Sequence, residues 1–301
     1  MLVTSGAAAR RPSTATPWMR QDVRMNPPLA TLVGVRPHRV DGAALRRRVG
    51  GRTVVVTGAS RGVGRAVAAR CTAAGAHVVL LARDGGALAS VADRLTAAGG
   101  RASTIAVDLR DTDAARDAAE RVLADHGPPA LLVSNAGHSI RRDLAAYTDR
   151  FHDVTRLAGV NLLGPIALAL PLLAAMRARG GGHLVSVGTV GVGLPGPGWS
   201  VYTATKAGLD AWLRSVSPEL RGDGVAVTSV HLPLTRTAMS APTYGRSRLP
   251  ALTADGAATW VCRAVVTRAR VVSPWWARAG AVATAALPGT IDRLAARAWR
   301  R

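Results

Sequence analysis

Short, apolar, β-branched runs alternate with Ala-rich stretches of helical length from residue 52 onward, and this alternation restricts the possible folds most strongly. The predicted strands cover residues 53–56, 76–81, 103–107, 131–134, 183–187 and 225–230. They are almost continuously apolar, which is typical of strands buried on both faces of a parallel sheet. Each gap is long enough for a right-handed crossover helix. The sequence therefore predicts a single α/β domain with a doubly wound parallel sheet.

The chain of 301 residues divides into three segments by composition. Residues 1–49 carry scattered Pro and Arg without a sustained period, which predicts an irregular basic extension. The α/β domain is expected over residues 50–270. Residues 271–301 form a basic tail with three tryptophans. Two interpretations of this tail stay open: an amphipathic helix at a membrane surface, or a helix docked on the domain.

The chain is strongly basic, with a formal net charge of +21. Such a charge predicts attraction to anions such as phosphates or lipid headgroups. Because arginine is abundant throughout the chain, no specific nucleic-acid partner is expected. The two cysteines, Cys71 and Cys262, lack the spacing of a disulfide framework or of a thiolate zinc site. No metal is expected.

One apolar stretch, residues 157–175, is interrupted by Asn161 and two prolines, which favours a buried or dimer-interface helix over a membrane span. The N-terminal residues lack the uninterrupted apolar core of a secretory signal. We therefore expect a cytoplasmic protein, with the tail as its one candidate for peripheral membrane contact.

A glycine-rich turn follows the first predicted strand and precedes a helix. Glycine lets backbone amides approach a phosphate, and a helix N-terminus adds partial positive charge. This context is the dinucleotide-binding position of a Rossmann fold. The residues expected to contact the cofactor here are Gly58, Ser60, Arg61, Gly62 and Gly64.

Nucleotide preference is set just beyond the second strand, where an acidic residue binds a ribose hydroxyl and an arginine binds a 2′-phosphate. Arg83 occupies this position and is followed by Asp84. Because guanidinium groups bind phosphate in a forked geometry, Arg83 and Arg61 favour NADP(H). Asp84 keeps NAD(H) as the less favoured alternative.

Tyr202 and Lys206 stand four residues apart, so on a helix both side chains project from one face. Lys206 is the chain's only lysine. A neighbouring ammonium is expected to lower the phenol pKa from about 10 towards neutrality. This pair therefore predicts a proton donor or acceptor for hydride-transfer chemistry.

Together these motifs resemble the short-chain dehydrogenase/reductase family in their order and spacing. The resemblance covers about residues 50–270, which it implies are the catalytic domain. It is carried by the glycine turn, Asp108 after the third strand, Asn135-Ala136-Gly137 after the fourth, Asn161, and Tyr202 with Lys206.

The resemblance implies a role for each matching residue. Tyr202 would be the acid/base, Lys206 would bind the nicotinamide ribose and lower the Tyr202 pKa, and Asn161 would hold a proton-relay water. Thr189 stands where the family has its substrate-orienting serine. It keeps the hydroxyl but adds a methyl group that narrows the pocket.

On the cofactor side, Asp108 would contact the adenine, while Asn135 and Gly137 would shape the cleft. Pro233 would lie beside the nicotinamide. It is followed by Leu234 where the family usually has glycine, which predicts a stiffer loop.

Two substrate-side segments, residues 136–153 and 231–243, resemble the bacterial fatty acyl-CoA reductase branch of the family. The resemblance implies NADPH-dependent reduction of a long-chain acyl-CoA or another lipophilic carbonyl by direct hydride transfer, in a homo-oligomer. Arg141, Arg142 and Arg236 are expected to face the CoA phosphates. The alternatives are an alcohol dehydrogenase or ketoreductase acting on other hydrophobic substrates, and a non-catalytic NADP-binding module.

Overall fold

A computed structural model describes residues 40–245, 247 and 249–299. Most of the predicted irregular extension, residues 1–39, lies outside these residues. Its last part is helical: α1 (Gly42–Val49) begins after Asp41, whose carboxylate accepts hydrogen bonds from the next turn. Leu45 and Val49 are buried in the core. The boundary predicted at residue 50 therefore moves towards the N-terminus, because a helix this short and rich in arginine has a weak apolar pattern.

Nine strands are present in the described residues. They are β1 (Thr53–Thr57), β2 (His77–Ala82), β3 (Arg101–Ala106), β4 (Leu131–Ser134), β5 (Gly182–Thr189), β6 (Val225–Leu232), β7 (Thr235–Arg236), β8 (Leu252–Thr253) and β9 (Val271–Val272). Seven of them form one parallel sheet in the order β3-β2-β1-β4-β5-β6-β9, and β7 pairs with β8 separately. The predicted doubly wound α/β fold is confirmed, with its switch point between β1 and β4.

The sheet extends beyond the predicted domain boundary at residue 270. Its last strand, β9, pairs with the middle of β6, where Ser229 lies opposite Val271. A strand of two residues leaves no periodic signal in a sequence, so the domain has to be extended to at least residue 272. The six strands predicted from the sequence are all present.

Helices cover both faces of the sheet. They are α2 (Gly62–Ala73), α3 (Gly85–Ala97), α4 (Thr112–His126), α5 (Phe151–Ala158), α6 (Gly164–Ala178), α7 (Ser200–Arg221), α8 (Ala241–Tyr244), α9 (Ala254–Thr267), α10 (Trp275–Ala286) and α11 (Pro288–Trp299). Buried side chains of α2, α3 and α9 form one core, and those of α4, α6 and α7 form the other. Val54 and Val55 of β1 belong to opposite cores, as alternation along a strand requires.

The long apolar stretch forms a continuous helix, Phe151–Ala178, in which a π-helical turn (Gly159–Leu163) joins α5 to α6. By length and composition alone this helix would cross a membrane, yet 56% of its most apolar window is buried inside the protein. Leu168, Leu172 and Met176 pack into the core beneath the sheet. Core packing therefore accounts for its apolar character.

The tail folds into a helical hairpin, α10 and α11, that docks on the segment between β5 and α7. The contact is close: a Cβ added to Gly193 would lie 2.6 Å from Ala281 Cβ, and one added to Gly280 would lie 2.7 Å from Leu194 Cδ2. Because only glycine allows this approach, the docked-helix interpretation applies.

Candidate active site

The predicted catalytic residues converge at the carboxyl end of the sheet. Thr189 ends β5, Tyr202 and Lys206 lie in the first two turns of α7, and Asn161 lies in the π-helical turn. Gly137 follows β4 and joins them: a Cβ there would lie 3.0 Å from Asn161 Oδ1 and 3.1 Å from Lys206 Nζ. A larger residue at this position would push against both side chains.

Asn161 is fully buried, and both of its side-chain N–H donors are hydrogen-bonded. Its Oδ1 accepts from His138 N at 2.9 Å, and its Nδ2 donates to the His138 carbonyl oxygen at 2.9 Å. Nδ2 also donates to Thr205 Oγ1 at 3.1 Å. The π-helical turn, a distortion that is frequent at functional sites, brings this amide to the loop after β4.

Thr205 is a site residue that the sequence reasoning missed. Its hydroxyl donates to the Tyr202 carbonyl oxygen at 2.9 Å while accepting from Asn161. It thereby ties α7 to the π-helical turn. The available signal was its position directly before Lys206, within the motif already identified.

Lys206 is buried, with 7% of its surface exposed. Its Nζ donates to the Val187 carbonyl oxygen at 3.2 Å. Burial lowers the pKa of Lys206 to about 8, because a low-dielectric site disfavours the charged form. The ammonium is consequently the dominant form only below about this pH.

The pKa of Tyr202 moves in the opposite direction to the sequence-based expectation. Burial raises it to about 12, and a hydrogen bond with the Thr189 side chain acts in the lowering direction. The expected depression by Lys206 is corrected because desolvation of the phenolate dominates. Tyr202 is therefore a protonated phenol at neutral pH, suited to giving a proton to a reduced carbonyl oxygen.

The glycine turn has the backbone that a pyrophosphate cradle needs. Gly58 and Gly62 have φ of +64° and +58°, and a Cβ on Gly64 would lie 2.3 Å from the Gly58 carbonyl oxygen. Among the described residues, Arg61 gives α2 no side-chain cap. The first amides of α2 are thus available to a phosphate, and the residues present fit a dinucleotide cofactor. Ser60 is half-buried within this turn.

Asn135, which the resemblance implies shapes the cofactor cleft, is bonded to the end of β1. Its Nδ2 donates to the Thr57 carbonyl oxygen at 2.9 Å. Thr57 Oγ1 in turn accepts from the Asn135 and Ala136 amides, each at 2.9 Å. These bonds join the ends of β1 and β4 at the switch point, and Thr57 is a second residue that the sequence reasoning missed.

Two arginines border the adenosine side of the cleft. Arg83 is exposed at the end of β2, and Arg61 is exposed in the glycine turn. The pKa of His138, after β4, is lowered by burial and then by the charges of Arg156, Arg83 and Arg61. The cleft therefore has a positive field suited to an additional phosphate.

Asp84 is engaged elsewhere: its carboxylate caps α3 by accepting from Ala87 N at 2.9 Å. This cap occupies one oxygen of the carboxylate that kept NAD(H) as an alternative, which leaves Arg83 as the more available group at this position. Asp108 forms an ion pair with Arg110 at 2.5 Å, and hydrogen bonds from Arg110 hold the pKa of Asp108 below its usual value. Asp108 is thus an anchored carboxylate, and its contact with the adenine stays a prediction of the resemblance.

The loop after β6 closes the other side of the cleft. Pro233 is buried, and its carbonyl oxygen accepts from Thr235 Oγ1 at 3.0 Å. Thr237 lies across the glycine turn, where a Cβ on Gly62 would be 3.5 Å from Thr237 Cγ2. The segment after Pro233 therefore covers the phosphate cradle.

Two of the three arginines expected to face CoA are held by the protein itself. Arg142 pairs with the buried carboxylate of Asp153 at 2.8 Å, and Arg236 donates to the carbonyl oxygens of Ser247 and Leu249. Their expected role is corrected to loop anchoring. Arg141 is exposed and lies 5.6 Å from the ring centre of Trp299.

Cys262 is buried, and burial raises the pKa of its thiol to about 12. A thiol in this state does not act as a nucleophile. Direct hydride transfer, without a thioacyl enzyme, thus fits the site.

Comparison with known proteins identifies the family. Residues 52–246 match the family described as short chain dehydrogenase, and the chain belongs to it. A protein named fatty acyl-CoA reductase from Acinetobacter baylyi is 36% identical over 201 residues, which are 67% of this chain and 68% of that protein. Another of that name from Mycobacterium tuberculosis is 37% identical over 220 residues, 71% of this chain and 75% of that protein.

Solved structures agree with this assignment. A 3-oxoacyl (acyl-carrier-protein) reductase from Agrobacterium tumefaciens, solved with NADP bound, has a TM-score of 0.69 and 28% identity, covering 79% of this chain and 97% of that one. A metagenomic short-chain oxidoreductase in complex with NADP has a TM-score of 0.65 and 32% identity, covering 75% and 96%. The chain is therefore an oxidoreductase of the short-chain dehydrogenase/reductase family.

Proposed function

We propose that this enzyme reduces long-chain fatty acyl-CoA, and the corresponding aldehyde, with NADP(H) as cofactor. The observation that carries the proposal is the arrangement of Tyr202, Thr189, Lys206 and Asn161 beside a glycine cradle bordered by Arg61 and Arg83. Two relatives named fatty acyl-CoA reductase support the substrate. Neighbouring structures with bound NADP support the cofactor.

The chain's own groups supply the binding and proton chemistry. Bound NADPH would supply a hydride to the carbonyl carbon. Tyr202 and Thr189 donate hydrogen bonds to the carbonyl oxygen. Thr189 Oγ1 accepts a hydrogen bond from Gly191 N at 3.2 Å, which leaves the hydroxyl proton of Thr189 available to the substrate. Two such donors stabilise the negative charge that develops on that oxygen.

With an acyl-CoA, the C–S bond then breaks and the carbonyl re-forms, so the products are the aldehyde and a CoA thiolate that takes a proton from water. With an aldehyde, Tyr202 gives its proton to the oxygen and an alcohol results. The Lys206 ammonium stabilises the phenolate left on Tyr202.

The test follows NADPH oxidation with palmitoyl-CoA and hexadecanal in parallel, together with thiol release. The proposal expects NADPH consumption with thiol release from palmitoyl-CoA: one thiol per NADPH where the aldehyde accumulates, and one thiol per two NADPH where the aldehyde is reduced further to the alcohol. Tyr202→Phe, which keeps the ring but removes the proton, should abolish turnover and leave NADPH affinity unchanged. Consumption with hexadecanal alone would reassign the enzyme to general carbonyl reduction.

A ketoreductase activity is the second candidate, because the ketoacyl reductase HetN of Nostoc is 34% identical over 196 residues. Such an enzyme would oxidise NADPH with a 3-oxoacyl thioester and release no thiol. Tight NADPH binding without turnover on any of these carbonyls would instead indicate a non-catalytic module.

We further propose that the enzyme works in the cytoplasm as a homo-oligomer that touches membranes through the tail hairpin. Leu163 and Leu170, 52% and 55% exposed on the long apolar helix, support an interface between copies. Trp275 and Val282, 66% and 69% exposed on α10, support contact with lipid.

A further inference from the structure

The tail hairpin lies over the chain between the two residues that act on the carbonyl oxygen, Thr189 and Tyr202. At the far end of this segment, a Cβ on Gly198 would lie 3.1 Å from Trp299 Cη2. The Arg141 guanidinium lies over the Trp299 ring, and the amide of the following residue donates to the Gly198 carbonyl oxygen at 2.8 Å. The last turn of α11 is thus fixed against two substrate-side loops.

A groove of about 490 Å³ lies between this segment and α11. Its size falls in the range of ligand sites, roughly 300–1,000 Å³. The residues that give it an apolar lining are Leu194, Pro195, Pro197, Ala295, Ala296 and Trp299.

The groove leads towards the catalytic residues. Ser200 and Thr203 of α7 are among its lining residues, and Thr203 directly follows Tyr202. A Cβ on Gly191 would lie 3.7 Å from Thr203 Oγ1 and 3.5 Å from Thr189 Oγ1. A ligand with its carbonyl at Thr189 would therefore meet the groove within a few carbon atoms.

We infer that this groove binds the distal acyl chain of the substrate, and that α11 sets the preference for long chains. The inference rests on the proposed function, since it assigns the groove to the same lipophilic carbonyl. Among the described lining residues only Asp292 is charged. A carboxylate there disfavours the CoA phosphates, so an uncharged chain, and not the headgroup, fits this end.

Residues 52–246 carry the family match, and α11 lies beyond them. The wall that α11 supplies therefore lies outside the residues that match the family. Loss of the groove should accordingly change chain-length preference and leave the chemistry intact.

The test fills the groove with Ala295→Trp, and separately with Ala296→Trp. The matched control is Ala298→Trp, on the same helix at an exposed position outside the groove lining. The two groove variants should raise KM for hexadecanal about tenfold, which corresponds to about 1.4 kcal/mol. In the groove variants, KM for hexanal and NADPH affinity should stay within about twofold of wild type. The Ala298→Trp control should stay within the same range in KM for both aldehydes and in NADPH affinity. Unchanged NADPH affinity shows that each variant is folded.

A binding measurement separates this inference from the proposed function. The probe is a dodecyl chain with a small uncharged fluorophore at its polar end, titrated into each variant with NADPH present. Weaker probe binding in both groove variants but not in Ala298→Trp supports the groove, even if neither aldehyde is turned over by the wild-type enzyme. Equal probe binding in all four proteins, or equal loss for hexadecanal and hexanal, would overturn it.

Discussion

Lys206 carries the one positive charge beside Tyr202 on the same helical face, and burial decides the pH range in which it acts. Because its pKa is lowered to about 8 while that of Tyr202 is raised to about 12, Lys206 loses its proton first as the pH rises. Loss of the ammonium removes the charge that stabilises the phenolate. The reductive kcat should therefore fall above about pH 8.

The measurement is kcat for aldehyde reduction from about pH 6 to about pH 10 at saturating NADPH. Lys206→Arg is the matched variant, because guanidinium stays charged over this range. Its kcat should be lower at every pH but should no longer fall above about pH 8. A wild-type kcat that stays flat throughout the range would show that Lys206 does not titrate there.

Thr189 offers an isosteric test of the hydrogen bond to the substrate oxygen. Thr189→Val keeps the branched shape but removes the donor, and loss of one such donor costs about 100-fold to 1,000-fold in kcat. Thr189→Ser keeps the donor and removes the methyl group, so its activity should be retained or increased. If the serine variant also lost activity, the methyl group would be the feature that matters.

Arg83 tests the cofactor preference. A charge-assisted hydrogen bond contributes about 1.5–3 kcal/mol, so Arg83→Gln should weaken NADPH binding about tenfold to 100-fold and leave NADH binding unchanged. Arg110→Gln is the control, because Arg110 pairs with Asp108. Equal losses for both cofactors would contradict a 2′-phosphate contact at Arg83.

For single residues, the sequence predicts which side chains converge, but it does not predict their pKa values or their hydrogen-bond partners. Tyr202 and Lys206 are found from their helical spacing, and Asn161 is found from the resemblance to the family. The raised pKa of Tyr202 depends on how many neighbours exclude water, and the internal partners of Arg142 and Arg236 depend on loop conformation. Neither property is encoded in spacing.

Among the elements, the glycine turn and α2 have the strictest steric requirement. Gly64→Ala would place a methyl group 2.3 Å from the Gly58 carbonyl oxygen and 2.6 Å from Asn135 Nδ2. Both the turn and the hydrogen bonds that join the ends of β1 and β4 would have to move. NADPH affinity should therefore fall at least tenfold, and Tm should drop by several degrees. Calorimetric melting and NADPH titration measure both effects.

Gly86→Ala is the control for this prediction, since its added Cβ meets Asp84 Oδ1 only at an ordinary 3.7 Å. It should bind NADPH as the wild type does, with Tm equal or slightly higher because alanine favours helix. Unchanged NADPH affinity in Gly64→Ala would mean that the turn relaxes without disturbing the cradle.

Strands such as β1 and β2 are predicted within a residue or two, because strands buried on both faces leave unmistakable apolar runs. The elements that the sequence did not predict are those stabilised by packing against the rest of the fold. α1 is held by two buried residues, its cap and hydrogen bonds from Arg48 to the Val266 carbonyl oxygen. β9 consists of two residues that pair with β6. Tertiary contacts, not local pattern, create such elements.

Considered as a whole, the molecule combines a lipophilic groove with an exposed apolar hairpin next to it. Trp275, Val282 and Leu294 are 66%, 69% and 53% exposed, and Arg278, Arg293 and Arg297 lie on the same two helices. Apolar side chains interspersed with arginines suit the surface of an anionic membrane. A lipid substrate leaving that surface would then have a short path into the groove under α11.

Trp275→Glu should therefore weaken binding to phosphatidylserine-containing vesicles about tenfold, as expected for losing the burial of one large apolar side chain and adding a repelled charge. Pelleting with sucrose-loaded vesicles measures the partition, and raised salt should weaken the wild type further. Leu144→Glu is the matched control, because Leu144 is 82% exposed in the loop after β4 and does not belong to either hairpin helix. Turnover of soluble hexanal should be unchanged in both variants. If the two variants pelleted equally with the vesicles, the membrane contact would lie outside the hairpin.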